Sequence, residues 1–570
     1  MSGLEELGIP GTAQLAEALT ICADPKKAIT EFQNQNGILL PSLKSALPFL
    51  DLFGINRLDF HLSTLEEMRS RMLKRVEELA STGKVEDLKI LEDLLEKSFP
   101  VVKSPYVRPV VLSMLEHLPH INKQYLDKIL TDEELFKDAA VPAKRQIWQD
   151  RPNLFADACS PLITEFVLEK ERALFSHEHS GLSFFLPTPK SRRQGNIVTK
   201  LVYMIGRNVK LYDMVVSFLR TLFLRKRNIH YCTLRVEILM AIHDQEINEI
   251  CSVDPCHKFA WCVDACVREK NINPNRAREL QGFLDGIRKG QENVLGDLSM
   301  VLCDPFAMNT VMLSAMKVLQ HCINTDTLPR ENSDLQLLVR MVALGLGAWD
   351  LIDSGVYKEP KLDPHLFTKY LPTVVGMMAD DQTRAVTTKM PDIAVKPPPL
   401  PSELYAIFIK QNPIASMVAM YYVLQAARQK DKPAVVVVLP TLIHCENDRA
   451  YEDTYLHSLV SYLIPFGDDF ASDEFCTAIF DDFFLPAVSN ENVRKHLLRL
   501  MWYVHQHMSQ ERLDAILEAL EPDKDHSEVV HKTFEMLKTK IASFVPEPTP
   551  VPEIIDSPLM SVPAPTPMHI

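Results

Sequence analysis

Apolar residues recur along this chain at spacings of three and four, in short blocks separated by Pro, Asn, Asp and Ser. Between residues 63 and 81, Leu65, Met68, Met72, Leu73, Val76, Leu79 and Ala80 share one side, while Glu66, Arg69, Lys74 and Glu77 fill the other. That period is one amphipathic helix. Ser63 with Glu66, and Thr131 with Glu134, have the capping-box spacing of a helix start. The same pattern predicts helices over 85–99, 106–118, 162–175, 280–302, 308–323, 335–352, 414–428, 451–464, 493–507 and 529–544. Each such helix must bury one stripe against a neighbour, so layered helix pairs and an all-α fold follow. No self-similar repeat of fixed length appears, and the expected architecture is an irregular HEAT-like helical-repeat solenoid. The run Val435-Val-Val-Val-Leu439 has the β-branched content of a strand, but its helical context favours helix.

A chain of 570 residues exceeds what a single hydrophobic core serves. The expected organisation is a helical-repeat array over 1–380, a linker over 381–402, a C-terminal helical domain over 403–545 and a tail over 546–570. The linker, which joins unequal lobes, is set by Pro391, Pro397, Pro398, Pro399 and Pro401, which favour extended backbone and a semi-rigid spacer; a polyproline ligand is the weaker reading. The tail holds eight prolines with little apolar content and is expected to be disordered.

Several function classes are disfavoured. The longest strongly apolar run, Ala434 to Leu439, is far shorter than the roughly 20 residues of a membrane-spanning helix, so no membrane association is expected. Eleven cysteines scattered through apolar segments read as reduced core thiols, and with no secretory pattern at the amino terminus they suggest a nuclear or cytosolic protein. Only 18 glycines are present, and neither phosphate-cradling glycine motif occurs. No cofactor and no catalytic constellation is expected.

Two clusters remain. Residues 187–236 hold eleven basic side chains (Lys190, Arg192, Arg193, Lys200, Arg207, Lys210, Arg220, Arg225, Lys226, Arg227 and Arg235) against Asp213 alone. This island is +10 in a chain that is formally −14, leaving −24 elsewhere, a local reversal of sign. On a helix over 207–225, Tyr212, Val215, Val216, Leu219, Leu222 and Phe223 lie on one face, with Arg207, Lys210 and Arg225 opposite. A phosphate backbone and an acidic protein surface are equally suited to such a face, and a merely solvated face is the third reading. The other cluster is Cys251, Cys256, His257, Cys262 and Cys266. It lacks the paired C-x2-C knuckles of structural zinc sites, so packed core thiols are preferred to a metal centre.

Several strings resemble a known family. They include Lys144-Arg-Gln-Ile-Trp-Gln-Asp150, Asn208-Val-Lys-Leu-Tyr-Asp-Met-Val215, Phe218-Leu-Arg-Thr-Leu-Phe-Leu-Arg225, Val253-Asp-Pro-Cys-His-Lys-Phe259 and Leu295-Gly-Asp-Leu-Ser-Met-Val-Leu-Cys-Asp-Pro-Phe306. Together they resemble the B-subunit family of the metazoan negative elongation factor, strongly from about Leu4 to Asp353 and more loosely through Glu521. The resemblance implies a nuclear, non-enzymatic, helical-repeat scaffold of a four-subunit complex that holds RNA polymerase II in its promoter-proximal pause. It further implies a bridge between the A and C/D subunits on one side and the E subunit on the other, to which the basic island adds nascent RNA or an acidic polymerase surface as a contact. An adaptor outside transcription, and a nuclear enzyme whose site assembles only on folding, are the competing readings.

Overall fold

The computed structural model describes residues 57–174, 193–325, 327–371 and 403–543, with a few isolated positions besides. The expected linker over 381–402 and the tail over 546–570 lie outside them. Among the described residues there is no strand, and the fold is all-α, built of irregular helix pairs in the HEAT-like manner. The described helices form two compact units.

The first unit comprises residues up to 164, with 196–218 and 241–253. Helix α1 (Arg57–Thr82) turns at Gly83, whose φ of +61° is left-handed, into α2 (Val85–Ser98). Helix α3 (Arg108–His117) packs on both. Their stripes meet in one core that includes Val76, Leu79, Leu91, Leu95, Val111, Met114 and Leu115. Short helices α4 (Lys123–Thr131), α5 (Glu133–Asp138) and α6 (Val141–Trp148) extend that core through Ile129, Leu135 and Ile147. Helix α7 (Pro152–Leu174) runs on from it, and α6 also packs on α8 (Asn196–Ile205), where Arg145 donates to the carbonyl of Tyr203 at 3.2 Å.

Two helix starts differ from the capping-box expectation. The start at Ser63 falls inside α1, which begins at Arg57. Asp132, not Thr131, caps α5, its carboxylate accepting from the Leu135 amide at 3.1 Å, while the Thr131 hydroxyl donates back to the Lys128 carbonyl. A carboxylate at the N-cap also meets the positive helix end, which a hydroxyl does less well.

Helices α9 (Val209–Lys226) and α10 (His230–Asp244) follow α8, and α11 (Asn248–Cys251) is a single turn. The second unit comprises residues 165–195, 219–240 and everything from 254 on. It begins its continuous part with α12 (His257–Glu269) and α13 (Pro274–Asp285). The single helix expected over 280–302 is two: α13 ends before Gly286, Gly290 takes a left-handed φ of +93°, and α14 (Val294–Cys303) starts afresh. Helices α14, α15 (Pro305–Thr325) and α16 (Ser333–Leu346) pack on one another, and α17 (Ala348–Asp353) returns onto α14.

Beyond α18 (Glu403–Gln411), helix α19 (Pro413–Gln429) is buried nearly all round, lying on α15 and α16 and under the later helices. Its Asn412 side chain accepts from the amides of Ile414 and Ala415 and so fixes its start. The ambiguous valine run is helix α20 (Lys432–Val438), capped by Asp431 and opened by Pro433 at its first turn. Helices α21 (Asp453–Leu463), α22 (Asp473–Cys476), α23 (Glu491–Val504), α24 (Gln510–Ala519) and α25 (Glu528–Ser543) complete the unit. Among the described residues no single helix is long and apolar enough to cross a membrane, and the ten described cysteines are free thiols.

Candidate nucleic-acid interface

The charge of the basic island is unusual, and the structure decides how much of it is available. Lys190 and Arg192 lie outside the described residues. Of the rest, Arg193 pairs with Asp264, which also holds Arg268 at 3.1 Å. Arg220 and Arg235 converge on Asp297, with Arg235 only 2% exposed, so these two cations are neutralised inside the second unit. Arg207 and Lys210, in the first unit, are exposed and face Glu249 at 3.2 Å and Asp150 at 3.8 Å. Pairs as open as these contribute little to stability.

Four basic residues of the island make no ion pair among the described residues: Lys200, Arg225, Lys226 and Arg227. Lys200 belongs to the first unit, and the other three are consecutive at the end of α9 in the second. The apolar face of α9 is buried as expected through Tyr212, Val215, Leu219 and Phe223, so its C-terminal turn is carried outward with its cations exposed. The helix ends one residue later than the expected Arg225, at Lys226, because Arg227 takes a left-handed φ of +50°. The Trp349 indole N–H donates to the Leu224 carbonyl at 3.1 Å, satisfying one of the open carbonyls of that last turn. The Arg227 guanidinium then lies 3.8 Å from the centre of the Trp349 ring. An aromatic face under a guanidinium is a favourable cation–π arrangement, and it leaves the outer guanidinium plane open for stacking or for phosphate.

This corner opens into a cleft of ≈ 460 Å³ formed wholly within the second unit, by α9, α15–α17, α19 and the segment 447–455. Arg227, Trp349, Asp350, Tyr421, Arg449 and Glu452 are among the polar and aromatic residues that line it, and Met308, Met417 and Met420 supply apolar wall. Glu452 is exposed toward the cleft, and partial desolvation by the surrounding protein raises its carboxyl above the usual range, with Arg449 opposing and Asp453 adding to the shift.

The five residues of the cysteine cluster do not converge on one point. Cys256 is buried beside Arg235, whose guanidinium lies 3.8 Å from its sulfur, and burial pushes the thiol up to about 12 despite that charge. The free thiols of Cys262 and Cys266 share a hydrogen bond, and Cys262 also donates to Glu279 at 3.4 Å. Cys251 and His257 are half-buried in the first and second units respectively. Among the described residues, no three of these five bring ligand atoms together.

A family model described as Cofactor of BRCA1 (COBRA1) matches residues 105–444, more than half of the chain. The chain belongs to this family. Relatives named Negative elongation factor B, from Drosophila melanogaster, Mus musculus and Homo sapiens, are 50%, 50% and 49% identical to it, over 100%, 99% and 100% of the chain and 98%, 99% and 100% of their own lengths. The matched family region contains α9, Trp349 and Tyr421 but stops short of Arg449 and Glu452.

Charge counting located Arg225, Lys226 and Arg227. It missed Trp349, Tyr421, Arg449 and Glu452, which carry no local signal: Trp349 is bonded across 125 positions to Leu224.

Proposed function

We propose that this chain is a non-enzymatic, nuclear scaffold subunit of negative elongation factor that bridges the A and C/D subunits to the E subunit and helps hold RNA polymerase II in its promoter-proximal pause. In this reading Arg225, Lys226 and Arg227 contact the nascent RNA. Full-length identity of about half to proteins named Negative elongation factor B is the observation that carries it. The layered helix pairs support a scaffold role, since stacked hairpins offer grooves in which partner helices lay an apolar stripe. The exposed triad supports RNA as a contact because phosphates need cations that no internal carboxylate has already taken.

The test replaces Arg225, Lys226 and Arg227 together by Glu in the reconstituted four-subunit complex. Assembly measured by size-exclusion chromatography stays intact, and single-stranded RNA affinity at moderate salt falls at least about tenfold, the equivalent of a few lost phosphate contacts. Unchanged RNA affinity removes the triad from the mechanism. Arg193 and Arg220 are left alone, because reversing them would break ion pairs inside the second unit.

A further inference from the structure

The cleft beside the triad holds polar groups that the protein itself does not satisfy. Tyr421 is 6% exposed, yet its hydroxyl has no hydrogen-bond partner among the described residues; the neighbouring Tyr455 hydroxyl, by contrast, donates to the Met420 carbonyl at 3.1 Å. The Glu452 carboxylate and the Arg449 guanidinium both line the cleft and form neither an ion pair with each other nor a side-chain hydrogen bond among the described residues, and the Arg449 Nε is buried without an acceptor. Buried polar groups are normally paired, so the Tyr421 hydroxyl and the Arg449 Nε, left open beside the exposed Glu452 carboxylate, point to something that completes them. Its volume of ≈ 460 Å³ falls within the roughly 300–1,000 Å³ of small-ligand sites. Apolar wall is supplied by Met417 and Met420, and the lining includes the stacked Arg227–Trp349 pair.

We propose that the cleft receives one unstacked nucleotide of a single-stranded RNA, with guanine preferred, while the flanking phosphates lie on Arg225, Lys226 and Arg227. This rests on the RNA contact assigned to the triad above. Single-stranded RNA is read by splaying out bases, stacking them on aromatic or guanidinium planes and bonding their edges. A carboxylate offers two acceptors in one plane, and guanine is the base that presents two adjacent N–H donors on its Watson–Crick edge. The Tyr421 hydroxyl donates to the guanine carbonyl in the same plane. Burial, and then the Glu452 charge, push the Tyr421 phenol up, so it keeps its proton at neutral pH.

Fluorescence anisotropy on the assembled complex tests this with short uridine-rich single-stranded RNAs carrying one central guanosine, adenosine or cytidine. The expected preference for guanosine is about tenfold, the worth of a hydrogen-bonded charged group. In Glu452→Gln and in Tyr421→Phe the preference collapses toward unity while all-uridine RNA binds as before. Photo-cross-linking of RNA containing 6-thioguanosine should mark peptides bearing Tyr421 or Trp349. Equal affinity for every RNA, as expected if the cleft is reserved for a protein segment, overturns the proposal, and so does a guanosine preference that survives Glu452→Gln. If affinity is blind to base but still falls when the triad is reversed, the cleft proposal fails alone; if the triad too is without effect, the RNA contact itself fails.

Discussion

His230 shows how a single side chain ties this fold to pH. It opens α10 with 4% of its surface exposed, and desolvation, reinforced by the nearby Lys170 charge, lowers its pKa to about 4. The unfolded chain takes up that proton near pH 6.5. Because the folded value is depressed, His230 favours the folded state fully above the unfolded value, and that contribution is lost as the pH falls from 6.5 toward 4. The separation corresponds to about 3 kcal/mol. Urea unfolding at pH 7.5 and pH 4.5 should therefore show a smaller acid loss for His230→Asn than for the native chain, by about 2–3 kcal/mol; equal losses would show that this imidazole is not a source of the acid sensitivity. The same burial logic separates the arginines of the island. Arg235 is enclosed against Asp297, whereas the Arg207 side chain is 76% exposed beside Glu249, so residue type alone says nothing about which cation is structural.

Helices were legible where periodicity was long and punctuated, and misread where backbone chemistry decided. The segment over 280–302 looked continuous because its apolar residues keep period across the gap, but Gly286 and Gly290 end one helix and let the next begin. The valine run became a helix because Asp431 and Pro433 organise its first turn, overriding a residue preference for sheet. Close helix approach is likewise a property of elements. A Cβ on Gly345 of α16 would stand 2.9 Å from the Leu302 carbonyl oxygen at the end of α14 and 2.6 Å from the Met308 terminal methyl. The methionine can move, but the carbonyl cannot without shifting α14. Gly345→Ala should accordingly destabilise the second unit by about 1–3 kcal/mol in chemical unfolding, although alanine is the better helix former. A neutral or stabilising result would mean that these helices part without strain.

Across the whole molecule, the decisive quantity is the difference between charge counted and charge available. An island of +10 in a −14 chain suggests a broad phosphate track, yet most of its described cations already face carboxylates, and three free ones stand together. Counterion release makes this measurable, because each phosphate contact on a single strand adds about 0.7 to the slope of log affinity against log salt. Three contacts give a slope of about −2, whereas ten would give about −7. RNA titrations over a salt series on the isolated chain should fall near the shallower value, and a slope near the steeper one would mean that the ion pairs open on binding. By itself the sequence determined the all-α class, the main amphipathic helices and the family, since helical period, Pro and Gly punctuation and ordered strings are local properties. Only the tertiary structure decided that Arg193 and Arg220 are neutralised by Asp264 and Asp297, 71 and 77 positions away, that Trp349 meets the end of α9, and that Tyr421 and Glu452 share its cleft. The reason is physical: ion pairing, stacking and desolvation depend on distance through space, which residue order encodes only through the completed packing.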